Sequence, residues 1–311
     1  MKILKTIGSA VVTAAMLVSG SAMADKLVIS NWDGYMPADM MERFEKETGI
    51  KAELALHATN EEIMGKVVAS KGRGYDVLFV SSPFVEALKK LDLVADVDHA
   101  KIPNVANLYG EAGNLQYDPG NKYSMPYAWG TTGLCYRSDL MEAPTSWNDL
   151  LKPSADLKGK VTMLSTDRWL MAAGLLSLGH SVNAEDQGQI DAATKVLKDA
   201  KKSLLAYDDA TFYAKLVSGE ATMTHAWDGW CNYGIAENDK IKYVIPKEGT
   251  DMWVDSMVIT KSSDKKDEAH AFINYVLSKE IGTWIAENIL YNTPNEAAMS
   301  SLDAGLKKSF P

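Results

Sequence analysis

Residues 26–56, KLVISNWDGYMPADMMERFEKETGIKAELAL, decide the fold. KLVISNW is a short β-type run. After it Met40, Met41 and Phe44 recur at helical spacing up to Gly49, and KAELAL begins a second β-type run at once. A strand, a helix and a strand joined this closely build a parallel sheet with helices on its faces. The unit repeats: NEEIMGKVVAS (60–70) reads as a helix, YDVLFVSS (75–82) as a buried strand, and PFVEALKKLDLV (83–94) as a helix whose Pro83 suits the first turn. Open sheets of this kind bind ligands beyond the carboxyl ends of their strands. Trp32, Tyr35, Ser81 and Ser82 fall at those ends.

The segment before this unit has a different character. Lys2 and Lys5 precede a mostly apolar stretch to Val18, and small residues end in Ala22-Met23-Ala24. This is the pattern of a secretory signal peptide over 1–24, with cleavage expected after Ala24. The stretch is shorter than the roughly 20 residues a membrane-spanning helix needs. Removing it takes away two lysines and no acid, so the net charge moves from -9 to -11. An acidic chain argues against nucleic acid as a partner and is compatible with cationic small molecules. The remaining length suits two lobes. Cys135 and Cys231 are the only cysteines, and in an oxidising compartment they can pair. With His57, His99, His180, His225 and His270 scattered, no zinc motif forms and no cofactor is called for.

Residues 107–139, NLYGEAGNLQYDPGNKYSMPYAWGTTGLCYRSD, are rich in Gly, Asn, Tyr and Pro and read as a crossing between lobes. Beyond them APTSWNDLL (143–151) starts a helix that Pro144 and Thr145 can cap, GKVTMLST (159–166) reads as a strand and RWLMAAGLLSLGH (168–180) as an apolar helix. A long charged helix is expected over 184–207, strands in ATMTHAW (221–227) and DSMVITKSS (255–263), helices over 265–289 and a Pro-containing turn in LYNTPNEAA (290–298). The expected division is an α/β chain of two lobes, 25–131 with 255–295 and 132–254 with 296–311.

No G-x-S-x-G elbow, H-E-x-x-H pair or P-loop is present, and no acid and base are singled out for catalysis. What recurs is an aromatic beside an acid at expected strand ends: Trp32-Asp33 with Tyr35, Trp227-Asp228, and Trp253 with Asp255. The face of a Trp ring attracts an ammonium group, and a carboxylate anchors the same cation by a charge-assisted hydrogen bond. Each pair alone also reads as an interface or core Trp beside a capping Asp. Three pairs at comparable places favour a site for an alkylamine.

NWDGYMP (31–37), ERFEKETGIK (42–51), YDVLFVSS, YSMPYAWGTTG (123–133), TSWNDLLKP (145–153), PKEGTDMWVDSMVI (246–259) and LYNTPN (290–295) together resemble the periplasmic spermidine/putrescine-binding proteins of ABC transporters. The likeness runs in order from about residue 26 to 298. It implies a type II periplasmic binding fold, two α/β lobes closing on a polyamine, with delivery to an inner-membrane permease and no covalent chemistry. It also implies a monomer. Carried over by position, Trp32 and Tyr35 match the first aromatic pair, Ser81 a polar position, Trp227 and Trp253 the stacking tryptophans, Asp255 the main amine-binding carboxylate and Tyr291 a late cleft tyrosine. Thr166 and Trp169 stand where spermidine-binding members place acids, with Asp167 adjacent but shifted. Gly34 replaces an acid in relatives, and Asp33 beside it can supply the charge. Asp209 falls at a small polar cleft position, as a compensating carboxylate or as a solvated loop acid. One amine is thus accounted for. A shorter diamine, or a zwitterion whose carboxylate meets Arg168, stays open. So do a sensing subunit of a membrane signalling protein, an exported enzyme and an iron-binding member of the fold, although the last would need adjacent tyrosines that are not seen.

Overall fold

Leu27–Trp32 forms strand β1 and pairs in parallel with β2, Ala52–His57, without a break from Leu27↔Ala52 to Trp32↔His57. The computed structural model describes residues 26–307, so the expected signal peptide at 1–24 lies outside the described residues. Helix α1, Met40–Thr48, buries Met40 and Phe44. It ends at Gly49 in the left-handed conformation, φ 76°, where the Gly49 N–H donates to the carbonyl of Glu45. Helix α2, Asn60–Ser70, is capped by Thr59, whose hydroxyl accepts the Glu62 N–H at 3.1 Å. The wholly buried β3, Val77–Ser81, pairs with β1 and leads into α3, Ser82–Lys90, with Pro83 in its first turn.

Three short 3-10 turns between 99 and 113 lead to the 14-residue β4, Ser124–Arg137. The chain continues through α4 (Trp147–Leu151), β5 (Val161–Met163), α5 (Asp167–Leu176), α6 (Gln187–Ala200), β6 (Ala206–Tyr207), α7 (Phe212–Ser218), β7 (Met223–Trp227) and α8 (Asp228–Glu237). It closes with β8 (Ile241–Val244), β9 (Met252–Ile259), α9 (Lys266–Val276), α10 (Lys279–Ile289), α11 (Glu296–Ser301) and α12 (Ala304–Lys307). The strand order is β2-β1-β3-β9-β4-β7-β5-β6, with β8 also on β4.

The strand β4 makes two lobes out of this order. From Ser124 to Thr131 it pairs antiparallel with β9, and from Thr132 onward it pairs with β7 and then β8. Within the expected crossing over 107–139, the part that passes between lobes is therefore the strand Ser124–Arg137, whose partner changes between Thr131 and Thr132. β9 in turn lies antiparallel between β3 and β4, so late residues are returned to the centre of the first sheet. Helix α11 packs on α10: Ala298 lies against Gly282, and the Asn295 amide donates to the Leu277 carbonyl at 2.8 Å. We therefore propose the division with 296–307 grouped with the first lobe.

Several local expectations are corrected. The cap of α4 is Ser146 rather than Pro144 or Thr145. Its hydroxyl accepts the Asn148 N–H, and Asp149 reaches back to the Ser146 N–H at 3.0 Å, a reciprocal capping box. The long helix over 184–207 stops at Ala200, and a 3-10 turn and β6 follow. β9 runs from Met252 to Ile259 rather than over 255–263, so Trp253 lies inside the strand rather than before it and Asp255 is its fourth residue rather than its first.

Cys135 of β4 and Cys231 of α8 form a disulfide with Cα atoms 5.9 Å apart. It closes a separation of 96 residues; disulfides typically contribute about 2–4 kcal/mol of stabilisation, more for longer loops. A Cys135→Ser, Cys231→Ser double variant is expected to lose about that much in urea unfolding. An unchanged midpoint would show that packing alone holds this joint.

Candidate functional site

Asp255 is the fourth residue of β9, opposite Ser81 on one side and Ala128 on the other. Directly opposed residues share a face of the sheet, so Asp255 and Ser81 meet. The Ser81 hydroxyl donates to Asp255 Oδ1 at 2.6 Å, and the Tyr35 hydroxyl donates to Oδ2 at 2.9 Å. Asn60, in the first turn of α2, holds Ser81 from behind: its Oδ1 accepts the Ser81 N–H and its amide donates to Ser81 Oγ, each at 3.0 Å. Each carboxylate oxygen has one protein donor and keeps a lone pair for another.

Burial pushes the Asp255 carboxyl up to about 6, although both hydroxyl donors pull it back. The native state thus holds this proton through a pH window, from 3.8 to about 6, where the unfolded chain has released it. The contribution is fully present below the lower limit and is lost as pH rises through the upper one. Across that window the difference in stability between wild type and Asp255→Asn is expected to move against the wild type by a few kcal/mol. A pH-independent difference in thermal or urea unfolding would contradict it.

Aromatic rings extend from this carboxylate. Tyr35 meets Trp32 edge-on at 5.5 Å and Tyr291 at 5.3 Å, and Tyr291 meets Trp253 at 5.5 Å. Such contacts hold rings at fixed angles beyond what burial alone supplies. The loop carrying Tyr35 turns at Gly34, φ 67°, a conformation that favours glycine. Tyr127 of β4 then fixes the loop by donating to the Tyr35 carbonyl at 2.6 Å. Tyr291 lies over Gly229, where a Cβ would come within 2.3 Å of its ring. Trp253, opposite Gly130, is buried with its indole Nε1 unpaired.

The structure brings Trp32, Tyr35, Ser81, Trp253, Asp255 and Tyr291 into one connected group. Trp227 ends β7 opposite Thr132 and packs, half-buried, against the same core. Asp33 is exposed on the Gly34 turn and makes no hydrogen bond to the Asp255 group. Asp209 stands apart: it accepts the Ser165 N–H at 2.6 Å, the Ser165 hydroxyl and the Thr166 hydroxyl, fixing the connection from β5 to α5. Arg168 donates to the Val182 carbonyl and to Asn183 Oδ1. Sequence reasoning missed Asn60 and Tyr127, and it noted Asp228 beside Trp227 without carrying it into the site. Their signals were faint: a helix N-terminal Asn, a Tyr in a crossing segment, and one Trp-Asp pair among three.

Among the described residues no group of three or more His, Cys, Asp or Glu is placed to hold a metal ion, and no helix is long and apolar enough to cross a membrane. What the group offers is a desolvated carboxylate beside flat apolar walls, an environment for a cation carried on a hydrocarbon chain.

Comparison with known proteins gives the same direction. The family model for bacterial extracellular solute-binding proteins matches residues 39–303. The chain is 32% identical to a spermidine/putrescine-binding periplasmic protein of Salmonella typhimurium over 280 residues, 89% of this chain and 80% of that one. It is 28% identical to a putrescine/cadaverine-binding protein of Pseudomonas aeruginosa, covering 94% of this chain and 87% of the relative. The solved spermidine/putrescine ABC transporter substrate-binding protein PotD from Streptococcus pneumoniae superposes with a TM-score of 0.79 at 31% identity, over 91% of this chain and 87% of that chain.

Proposed function

The chain belongs to the bacterial extracellular solute-binding protein family, and from that premise we propose that it captures a polyamine of the putrescine and spermidine class between its two lobes and delivers it to an ABC-transporter permease. The observation that carries this reading is Asp255, buried and held by Ser81 and Tyr35 at the foot of the wall of Trp32, Tyr35, Tyr291 and Trp253. A buried carboxylate without a countercharge is costly, and an arriving ammonium supplies that charge together with donors for its free lone pairs. The rings then cover the methylene chain and exclude water. Trp227, from the other lobe, completes the wall when the lobes close, a known mode of hinge motion around a ligand.

The rest of the reading follows from the same premise. The chain is exported, its first 24 residues are removed, and it works in the periplasm as a monomeric carrier without chemistry of its own. Isothermal titration of the purified protein with putrescine and spermidine tests it. Saturable binding of either is expected; the absence of binding to any amine would overturn the reading.

A further inference from the structure

We propose that Asp228 is a second cation anchor, so that the site selects a short α,ω-diamine with one ammonium on Asp255, the other on Asp228 and the methylene chain along Tyr291 and Trp253. This rests on the amine-capture reading above and adds the number and placement of the charges.

Asp228 opens α8 directly after Trp227 and is 2% exposed. Its Oδ1 accepts the Gly229 N–H at 2.8 Å and its Oδ2 the Thr131 N–H at 3.1 Å, which leaves a lone pair on each oxygen. Among the described residues no ion pair reaches it. The carboxylate lies over Gly130: a Cβ on that glycine would be 2.4 Å from Asp228 Oδ1 and 2.5 Å from Cζ2 of Trp253. The acid therefore borders the ring that ends the aromatic wall.

A second, separate feature points to a guest at this place. Asp251, 2% exposed, receives the Thr132 hydroxyl on Oδ1, whereas its Oδ2 is buried without a partner. Its charge acts on Asp228, the two acids flanking the point where β4 changes partners. Burial, with Asp251 adding to it, lifts the Asp228 carboxyl to about 7. Arg168 is the cation nearest in effect. It acts on Asp251 and lowers it; its two terminal nitrogens are bonded to Val182 and Asn183, while its Nε is buried without a partner. Two buried carboxylates and an unpaired acceptor oxygen call for a donor that carries positive charge. The unpaired indole N–H of Trp253 calls for an acceptor instead, but it is one neutral donor against two acids.

The spacing suits a short chain. Trp253 and Asp255 are two residues apart on β9, on the order of 7 Å along the strand, and Gly130 is the register partner of Trp253. The two anchors are thus joined by little more than one side chain of aromatic wall.

The test compares putrescine, butylamine and γ-aminobutyrate by isothermal titration on wild type, Asp228→Asn and Asp255→Asn. Wild type is expected to prefer putrescine to butylamine by about 30-fold or more. Asp228→Asn is expected to weaken putrescine by a similar factor and butylamine by less than about threefold. Equal binding of the two amines to wild type overturns the second anchor without recourse to a variant. So does an equal loss of both in Asp228→Asn, or tighter binding of γ-aminobutyrate than of putrescine. If the two amines bind alike and both are lost in Asp255→Asn, amine capture stands and only the second anchor falls. If no amine binds, both fall together.

Discussion

Asp255→Asn is expected to weaken putrescine binding by about 100-fold or more while the ligand-free protein keeps its fold. Removing one partner of a buried charge pair costs about 2–5 kcal/mol, and each 1.4 kcal/mol is tenfold in affinity. Asparagine keeps the shape and still accepts the Ser81 hydroxyl, so the geometry around Tyr35 and Asn60 survives. It also removes a carboxylate that is buried without a countercharge when no guest is present. The ligand-free variant should therefore be at least as stable as wild type at neutral pH. Titration calorimetry with thermal unfolding of both proteins checks the two halves together. Retained affinity would remove Asp255 from the site, and a large loss of stability would give it a structural role.

Gly130→Ala is expected to lower putrescine affinity by about 30-fold or more without removing any charged residue. The backbone at Gly130 is ordinary strand, so the obstacle is space. A Cβ there would sit 2.4 Å from Asp228 Oδ1, 2.6 Å from Oδ2 and 2.5 Å from the Trp253 ring. Carboxylate and ring are both buried and must shift together. Overpacking of this kind costs about 1–3 kcal/mol of stability as well. Affinity within a few-fold of wild type would mean that neither Asp228 nor Trp253 is positioned for the guest.

How much of this was readable in advance varied with distance along the chain. β1, α1 and β2 declare themselves because each is local: alternating apolar runs, a face through Met40 and Phe44, and a glycine where the backbone turns left-handed. β4 was legible only as a crossing. SMPYAWGTTGLCYR is buried along most of its length and so lacks the two-residue alternation that marks a strand with one wet face. α8 escaped because it buries Gly229, Cys231, Asn232 and Gly234 rather than a row of large apolar residues. The insertion of β9 between β3 and β4 is a tertiary event that no local pattern records.

The site divides in the same way. Trp32, Tyr35 and Ser81 follow from the rule that ligands gather at strand ends, and the Trp-Asp pattern pointed to Asp255. The support beneath them was hidden. Tyr127 reaches across 92 residues to the Tyr35 carbonyl, and Asn60 works through Ser81 rather than on a ligand. Asp209 is the reverse case. A lone acid at a suggestive position accepts three hydrogen bonds from Ser165 and Thr166, as loop acids commonly do.

The link between Cys135 and Cys231 joins the crossing strand to the helix that opens with Asp228. That bond forms only where thiols are not kept reduced, so the strand that changes partners and the helix opening with Asp228 are tied covalently only in an oxidising compartment. Without it, Trp227 and Asp228 are joined to β4 by the Thr132–Trp227 strand pairing and the Thr131 N–H to Asp228 hydrogen bond.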